Sequence, residues 1–163
     1  MGALIVRGAG VSLPDFARDR LFEPLGIRAF EWMEGEDGEA SAASGLRLAP
    51  RDLARIGQVV LTDGHWDGRE IVPTSWLDRA LRPRVTIEDG FDYGYQWYLS
   101  SVSTPDGLAH PWVGGIGNGG QRLFVVPDLD LVLAIAAGAY DAENQSSMPS
   151  AIFEDVIVAS IET

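Results

Sequence analysis

The sequence predicts an α+β chain: helices first, then an antiparallel meander, then a last helix packed on the sheet. Three observations carry that expectation. Leu53, Ile56, Val60 and Leu61 recur at i, i+3, i+7 and i+8, the spacing of one helix face. After Pro83 the period changes to alternation in an aromatic run, Tyr93-Gly94-Tyr95-Gln96-Trp97-Tyr98-Leu99. After Pro149 a closing helix is expected with Ile152, Phe153, Val156, Ile157 and Ile161. Helices segregated from a run of strands are the α+β pattern.

Taken in order, residues 1–7 read as the last turns of a buried helix stopped by Gly8 and Gly10. No cap precedes that helix, so either its first turn frays or sequence upstream completes it. Ser12 and Asp15 have capping-box spacing and open a helix through Phe16 and Leu21, ending near Pro24-Leu25-Gly26. In residues 31–44, Glu31, Glu34, Glu36, Asp37 and Glu39 lie among small residues and repel one another, so a solvated loop is expected. Pro50 starts the well-patterned helix, with Asp52 favoured in its first turn by the helix dipole. Asp63 to Gly68 resembles the start of a calcium loop, but Thr74 stands where a bidentate Glu is needed, so a plain turn is expected. Thr74 is expected to cap a short helix carrying Trp76, Leu77 and Leu81. Three strands follow: Tyr93 to Leu99, Gln121 to Val126, and Leu131 to Ala137. Pro127 to Asp130 forms the turn, and the last, apolar strand is expected at the sheet centre.

Composition removes whole classes of chemistry. The 163 residues carry a net charge of -12, which argues against nucleic acid or an anionic membrane as partner. There is no Cys, hence no disulfide, thiolate metal site or cysteine nucleophile. All 12 basic residues are Arg, so Schiff-base chemistry, a P-loop lysine and a Ser–Lys pair are impossible within this chain. The longest apolar stretch, Leu131 to Ala137, is far short of a membrane span. The chain as given is expected to be soluble and cytoplasmic, and any signal of a longer parent would precede Met1.

Gly115-Ile116-Gly117-Asn118-Gly119-Gly120 fits G-x-G-x-x-G, but a strand follows where a dinucleotide site needs a helix N-terminus. Two readings stand: a plain glycine turn, or a loop whose N–H groups face a ligand oxyanion. Tyr93, Tyr95 and Trp97 alternate and would share one side of a sheet, as a pocket lining or as core. His65 and His110 are the only histidines; neither sits in H-E-x-x-H, no G-x-S-x-G is present, and His110-Pro111 reads as loop.

Several stretches resemble the C-terminal part of the serine β-lactamase-like hydrolases. That superfamily holds class C β-lactamases, penicillin-binding proteins, carboxylesterases and 6-aminohexanoate-dimer hydrolases. Phe22-Glu23-Pro24-Leu25-Gly26-Ile27 is similar to the family's helix end. Ser44-Gly45-Leu46-Arg47-Leu48-Ala49-Pro50-Arg51-Asp52-Leu53-Ala54-Arg55 is similar to its next segment. Ile71-Val72-Pro73 with Trp76, then Tyr93-Gly94-Tyr95-Gln96-Trp97, follow in the family order. Gly117-Asn118-Gly119-Gly120-Gln121-Arg122-Leu123-Phe124-Val125-Val126-Pro127 is the most specific piece.

The resemblance implies a single partial domain over 1–163, the C-terminal part of a β-lactamase/transpeptidase-like fold. It also implies an acyl-serine hydrolase whose S-x-x-K nucleophile and Tyr motif lie upstream of these residues. Trp112-Val113-Gly114 is similar to the esterase-like W-x-G element that replaces K-T-G. Substrate-loop candidates are thus Trp112, Gly114, Gly115, Gly117, Asn118, Gly119, Gly120 and Gln121, with the N–H of Gly115 or Asn118 as oxyanion donor. In the family the Lys and Thr of K-T-G meet the β-lactam carboxylate, so without K-T-G esters or amides lacking that anion are expected as substrates rather than β-lactams. No cofactor or metal is implied. The chain alone is expected to be inactive, and to self-associate or be complemented by the missing N-terminal part. Two alternatives stay open: a non-catalytic binding module or gene remnant using the aromatic pocket, and a hydrolase pairing Ser44 or Ser147 with His110.

Overall fold

A computed structural model describes residues 2–87 and 90–161. Five helices are labelled α1 (Gly2–Ala9), α2 (Leu13–Ala17), α3 (Pro50–Leu61), α4 (Thr74–Ala80) and α5 (Ser147–Ala151). A π-helical turn, Arg18–Phe22, extends α2; a π-helical segment, Ile152–Ile157, and a 3₁₀ turn, Val158–Ser160, extend α5. Short strands β1 (Glu31–Trp32) and β2 (Leu46–Arg47) pair, as do β3 (His65–Trp66) and β4 (Arg69–Glu70). The main sheet holds β5 (Val85–Thr86), β6 (Asp92–Gly94), β7 (Trp97–Ser103), β8 (Ala109–Gly117), β9 (Gln121–Val126) and β10 (Leu131–Ile135). Its order is β10-β9-β8-β7-β6-β5, an antiparallel meander.

The two faces of this sheet are covered differently. Leu53, Val60 and Leu61 of α3 pack on Trp97, Val113, Leu123, Val125 and Val132. Gly57 makes the approach close: a Cβ there would lie 2.6 Å from Val132 Cγ1. On the other face Phe153 and Val158 of the closing helix meet Val102, Trp112, Phe124 and Val126. Phe153 stacks on Phe124 with centroids 4.0 Å apart. A third cluster joins Phe22, Leu25 and Ile27 to Val59 of α3.

The α+β order is as expected, and so are α3 and the Ser12 cap: Ser12 Oγ accepts from Asp15 N–H at 3.2 Å. Ser12 first, then Arg18, also holds the Asp15 carboxyl below its ordinary value. Other expectations need correction. Among the described residues the meander has six strands, not three. β8 occupies the stretch expected as a glycine loop, because strand pairing overrides the poor strand propensity of its Gly and Pro. The aromatic run is not one strand. It breaks at Tyr95 and Gln96, whose φ values of 42° and 75° make a two-residue hairpin turn. That conformation costs non-glycine residues roughly 1–2 kcal/mol each.

The strand Leu131–Ile135 lies at the sheet edge. It is apolar because α3 packs on one face and the closing-helix core on the other. No residue of α1 is buried. Val156 points to solvent, and Ile161 follows the last 3₁₀ turn. Thr74 is the first helical residue of α4, not its cap; its hydroxyl donates to the Asp63 carbonyl at 2.8 Å. The turn expected at Asp63 to Gly68 is a hairpin, with Asp67 and Gly68 at positive φ.

Candidate active-site wall

β8 is offset between its neighbours. Its ladder with β7 runs from Ser103↔Ala109 to Tyr98↔Gly114. Its ladder with β9 runs from Val113↔Val125 to Gly117↔Gln121. Residues 109–112 therefore pair only with β7, and Gly115, Ile116 and Gly117 pair only with β9. Successive residues of an antiparallel strand aim their N–H groups at opposite edges. At least one N–H of Gly115, Ile116 or Gly117 thus points away from β9, where no strand receives it.

That edge borders an open cleft of ≈ 300 Å³ lined by Leu53, Gln96, Trp97, Gly115, Gly117 and Gln121, among others. A Cβ built on Gly115 would meet nothing within 4 Å, so the glycine leaves open space at the strand edge. Gly114, by contrast, has the Leu123 carbonyl oxygen 2.1 Å from where a Cβ would stand. Two larger hollows, of ≈ 630 and ≈ 820 Å³, border α1 and its flanking loops. Neither includes a β8 residue, though the ≈ 630 Å³ hollow reaches Gln96, which also lines the cleft.

The turn beyond the edge is tied down. Gly119 and Gly120 have φ of 81° and 86°, and a Cβ on Gly119 would stand 2.6 Å from the Tyr140 ring. Asn118 Nδ2 donates to Asp141 Oδ1 at 2.9 Å, and Gly119 N–H donates to Gln145 Oε1. Gln121 Nε2 donates to the Ala137 carbonyl.

The residue that sequence reasoning passed over is Arg122. Only 3% exposed, it donates from Nη1 to the carbonyls of Gly117 and Gln121 at 3.0 and 2.8 Å. Its Nη2 donates to Ser146 Oγ at 2.8 Å. One guanidinium thereby spans the β8–β9 turn and ties it to the start of α5. Among the described residues no carboxylate pairs with it, and burial pulls its pKa below the ordinary guanidinium value. The available signal was a lone cation leading the apolar run Leu123-Phe124-Val125-Val126.

Of the expected loop residues, Gly115, Gly117 and Gln121 come together at the cleft, while Asn118, Gly119 and Gly120 form the turn. Trp112 does not join them. It is buried on the opposite face, 5.0 Å from the Phe124 ring centroid, because odd and even residues of a strand face opposite ways. Tyr93, Tyr95 and Trp97 do not share a face either, since the hairpin turn intervenes. Tyr93 packs edge-on against Tyr98, Trp97 joins the α3 face, and Tyr95 is exposed. The aromatic pocket invoked for a binding module is not assembled from those three.

His110 is a strand residue, not loop. Its Nε2 lies 3.1 Å from Thr104 Oγ1, which donates to Asp106 Oδ1 at 2.6 Å. Its Nδ1 is 3.8 Å from Asp128 Oδ2. The hydroxyls of Ser44 and Ser147 bond instead to Ser41 and to the Asn144 carbonyl, so neither forms a Ser–His pair. Among the described residues no three or more His, Cys, Asp or Glu side chains cluster as a metal site would need, and no helix is long and apolar enough to cross a membrane.

An antiparallel sheet thus lies between helices, with a glycine-lined strand edge facing a cleft. The profile of the Beta-lactamase family matches residues 1–154, so the chain belongs to that family of β-lactamase-like serine hydrolases. It is 28% identical over 134 residues to the 6-aminohexanoate-dimer hydrolase of Paenarthrobacter ureafaciens, matching 74% of this chain and 32% of that protein. Among solved structures, a candidate 6-aminohexanoate-dimer hydrolase from Bacillus anthracis superposes with a TM-score of 0.75 at 22% identity. The match covers 95% of this chain and 40% of that one. A β-lactamase from Mycobacterium bovis superposes with a TM-score of 0.68 at 16% identity, over 93% of this chain and 59% of that one. The chain therefore spans about a third of the curated relative's length.

Proposed function

We propose that this chain forms one wall of a serine hydrolase active site that cleaves esters or amides through an acyl-serine. The nucleophile is supplied by sequence outside these residues. The observation that carries the reading is the β8 edge. Gly115, Ile116 and Gly117 keep β9 on one side and an open cleft on the other. In the reaction, a serine Oγ adds to the substrate carbonyl and the oxygen gains negative charge. An N–H at the Gly115–Asn118 end of β8 donates to that oxygen, together with the nucleophile's own N–H. Collapse expels the alcohol or amine, and water then releases the acid.

This chain has no lysine for a Ser–Lys pair, and neither Ser44 nor Ser147 pairs with a histidine, so on this reading it is inactive alone. A complementing N-terminal segment, or failing that a second copy, covers the surfaces the chain leaves open. The unburied helix α1 and the unpaired edge of β10 support that. The substrate is a linear ester or amide rather than a β-lactam. No K-T-G follows β7, and the curated relative is named for a linear amide dimer.

The test is co-expression of the chain with the segment encoded immediately upstream of its Met1 codon. The mixture should hydrolyse an activated ester, and replacing the serine of that segment's S-x-x-K motif by Ala should abolish turnover. Turnover by the 163-residue chain alone would overturn the reading.

A further inference from the structure

The direction of each N–H along β8 follows from bonds at its two ends. Just before the strand begins, Thr104 N–H donates to the Leu108 carbonyl at 3.0 Å, so Leu108 turns its backbone groups toward the β7 side. The β7–β8 register then runs without a break from Ser103↔Ala109 to Tyr98↔Gly114. Backbone groups alternate between the two edges of a strand. His110, Trp112, Gly114 and Ile116 therefore face the β7 side, while Val113, Gly115 and Gly117 face β9. The last β8 partner of β7 is Gly114, so the Ile116 N–H is aimed past the end of β7. Ile116 lines the cleft at that point, with Gln96 and Trp97.

The far end of the strand gives the same parity independently. Arg122 Nη1 donates to the carbonyls of Gly117 and Gln121 at 3.0 and 2.8 Å. Those two residues oppose each other in the last rung of the β8–β9 ladder. If their backbone groups pointed apart, the two carbonyls would lie on opposite edges of the hairpin, beyond the reach of one nitrogen. Both carbonyls hence point into the hairpin, which turns Gly117 and Gly115 toward β9. The Leu123 carbonyl, which crowds the Cβ position of Gly114, faces β8 as well.

The same rung is weak without help. It closes on Asn118-Gly119-Gly120, with both glycines at positive φ, and Gly117 is itself half of it. Glycine loses the most conformational freedom on ordering, so such a rung frays unless a side chain fixes it. Arg122 is placed to do so. It is buried, stands opposite Ile116 in the register, and is anchored from behind by Ser146 Oγ at 2.8 Å. The Gly117–Asn118 peptide is trans, so a carbonyl held on the guanidinium turns the Asn118 N–H to the same edge as that of Ile116.

We propose that Arg122 is the positioning residue of the oxyanion site: by clamping the Gly117 and Gln121 carbonyls it keeps the Ile116 N–H aimed into the cleft. The inference rests on the hydrolase reading for the role of the cleft and names the donor within it. Arg122 touches no substrate and acts through β8. A planar fork can meet three acceptors at once, which an ammonium cannot.

Two measurements test this. In the 163-residue chain, amide hydrogen exchange should alternate, slow at Gly115 and Gly117 and fast at Ile116. In Arg122→Met, protection of Gly117 should fall roughly tenfold or more, while Phe124 and Val125 keep theirs. The second measurement uses the co-expressed hydrolase, assayed on an activated ester per folded complex recovered by size exclusion. Arg122→Met should lower kcat by about 100-fold and leave KM within about twofold, because a misplaced oxyanion donor is missed only in the transition state. Arg122→Lys should recover part of kcat. A merely structural role would lower the yield of complex and leave kcat of the folded fraction unchanged.

Slow exchange at Ile116 beside fast exchange at Gly115, or equal protection of all three amides, would overturn the choice of donor. A folded Arg122→Met complex with the parent kcat, or a loss confined to KM, would overturn the positioning role. If neither Arg122 variant folds, Ser146→Ala removes the rear anchor and should lower kcat by a smaller factor; an unchanged kcat there would contradict the clamp. Failure of the hydrolase reading is distinguishable. The parent mixture would then not turn over, and the oxyanion role would fall with it, while the exchange pattern would still report whether Arg122 holds the Ile116 amide toward the cleft.

Discussion

The two ends of β8 are topologically alike and chemically opposite. Each has a strand on one side only, β7 beside residues 109–112 and β9 beside residues 115–117. At the first end the vacated side is sealed. The turn at Pro127–Leu129 packs against β8 and brings Asp128 near His110. Pro111 has no N–H to leave unpaired where β9 does not reach. At the second end Gly115 and Gly117 flank Ile116, and the side without a strand faces a cleft. A strand edge is ordinarily a liability that side chains cover. Under the proposed function, the edge opened with glycine is the one a ligand approaches.

The sharpest way to break this comparison is to add one methyl group at each of two adjacent glycines. Gly114→Ala should destabilise the chain by about 1–3 kcal/mol or more, because its Cβ collides with the Leu123 carbonyl. Gly115→Ala should lie within about 0.5 kcal/mol of the parent, because its Cβ meets nothing. Urea denaturation of the two variants reads the difference, and equal losses would mean that the cleft edge is packed.

Arg122→Met comes next. It leaves the Gly117 and Gln121 carbonyls and the Ser146 hydroxyl without their donor, at a cost of about 1–3 kcal/mol. Amide exchange should quicken in residues 117–121 and at the start of α5 rather than throughout. Arg122→Lys should recover only part, since an ammonium cannot reach three acceptors as a planar fork does.

The smallest effect belongs to the sealed end. The Thr104 hydroxyl, followed by the Leu108 N–H, holds the Asp106 carboxyl below its ordinary 3.8. A carboxyl depressed on folding contributes stability above its unfolded value and loses it as pH falls through the folded value. Below pH 3.8 the turn at 104–108 should therefore loosen, visible as faster exchange of the Leu108 amide. Asp106→Asn should remove that pH dependence and leave the Gly115 amide unmoved.

The helices were legible where one face repeats. Leu53, Ile56, Val60 and Leu61 specify α3, and Ser12 with Asp15 specifies the start of α2. The family too was legible, from motifs whose order matters more than any one of them. β8 was not, because Gly, Pro and His carry little strand propensity and its form comes from two offset neighbours. The hairpin at Tyr95-Gln96 was hidden for the reverse reason: alternation continues through a turn made of residues that rarely occupy one. Arg122 could not be placed without knowing that its strand turns inward beside Ser146.

The central claim, that this chain is a wall of the site and carries no nucleophile, is tested by intact-mass measurement after treatment with a fluorophosphonate. That reagent labels activated serines. The chain alone should keep its unmodified mass, and label should appear only on the co-expressed segment. A stoichiometric adduct on the chain itself, at Ser44, Ser147 or any other serine, would contradict the account.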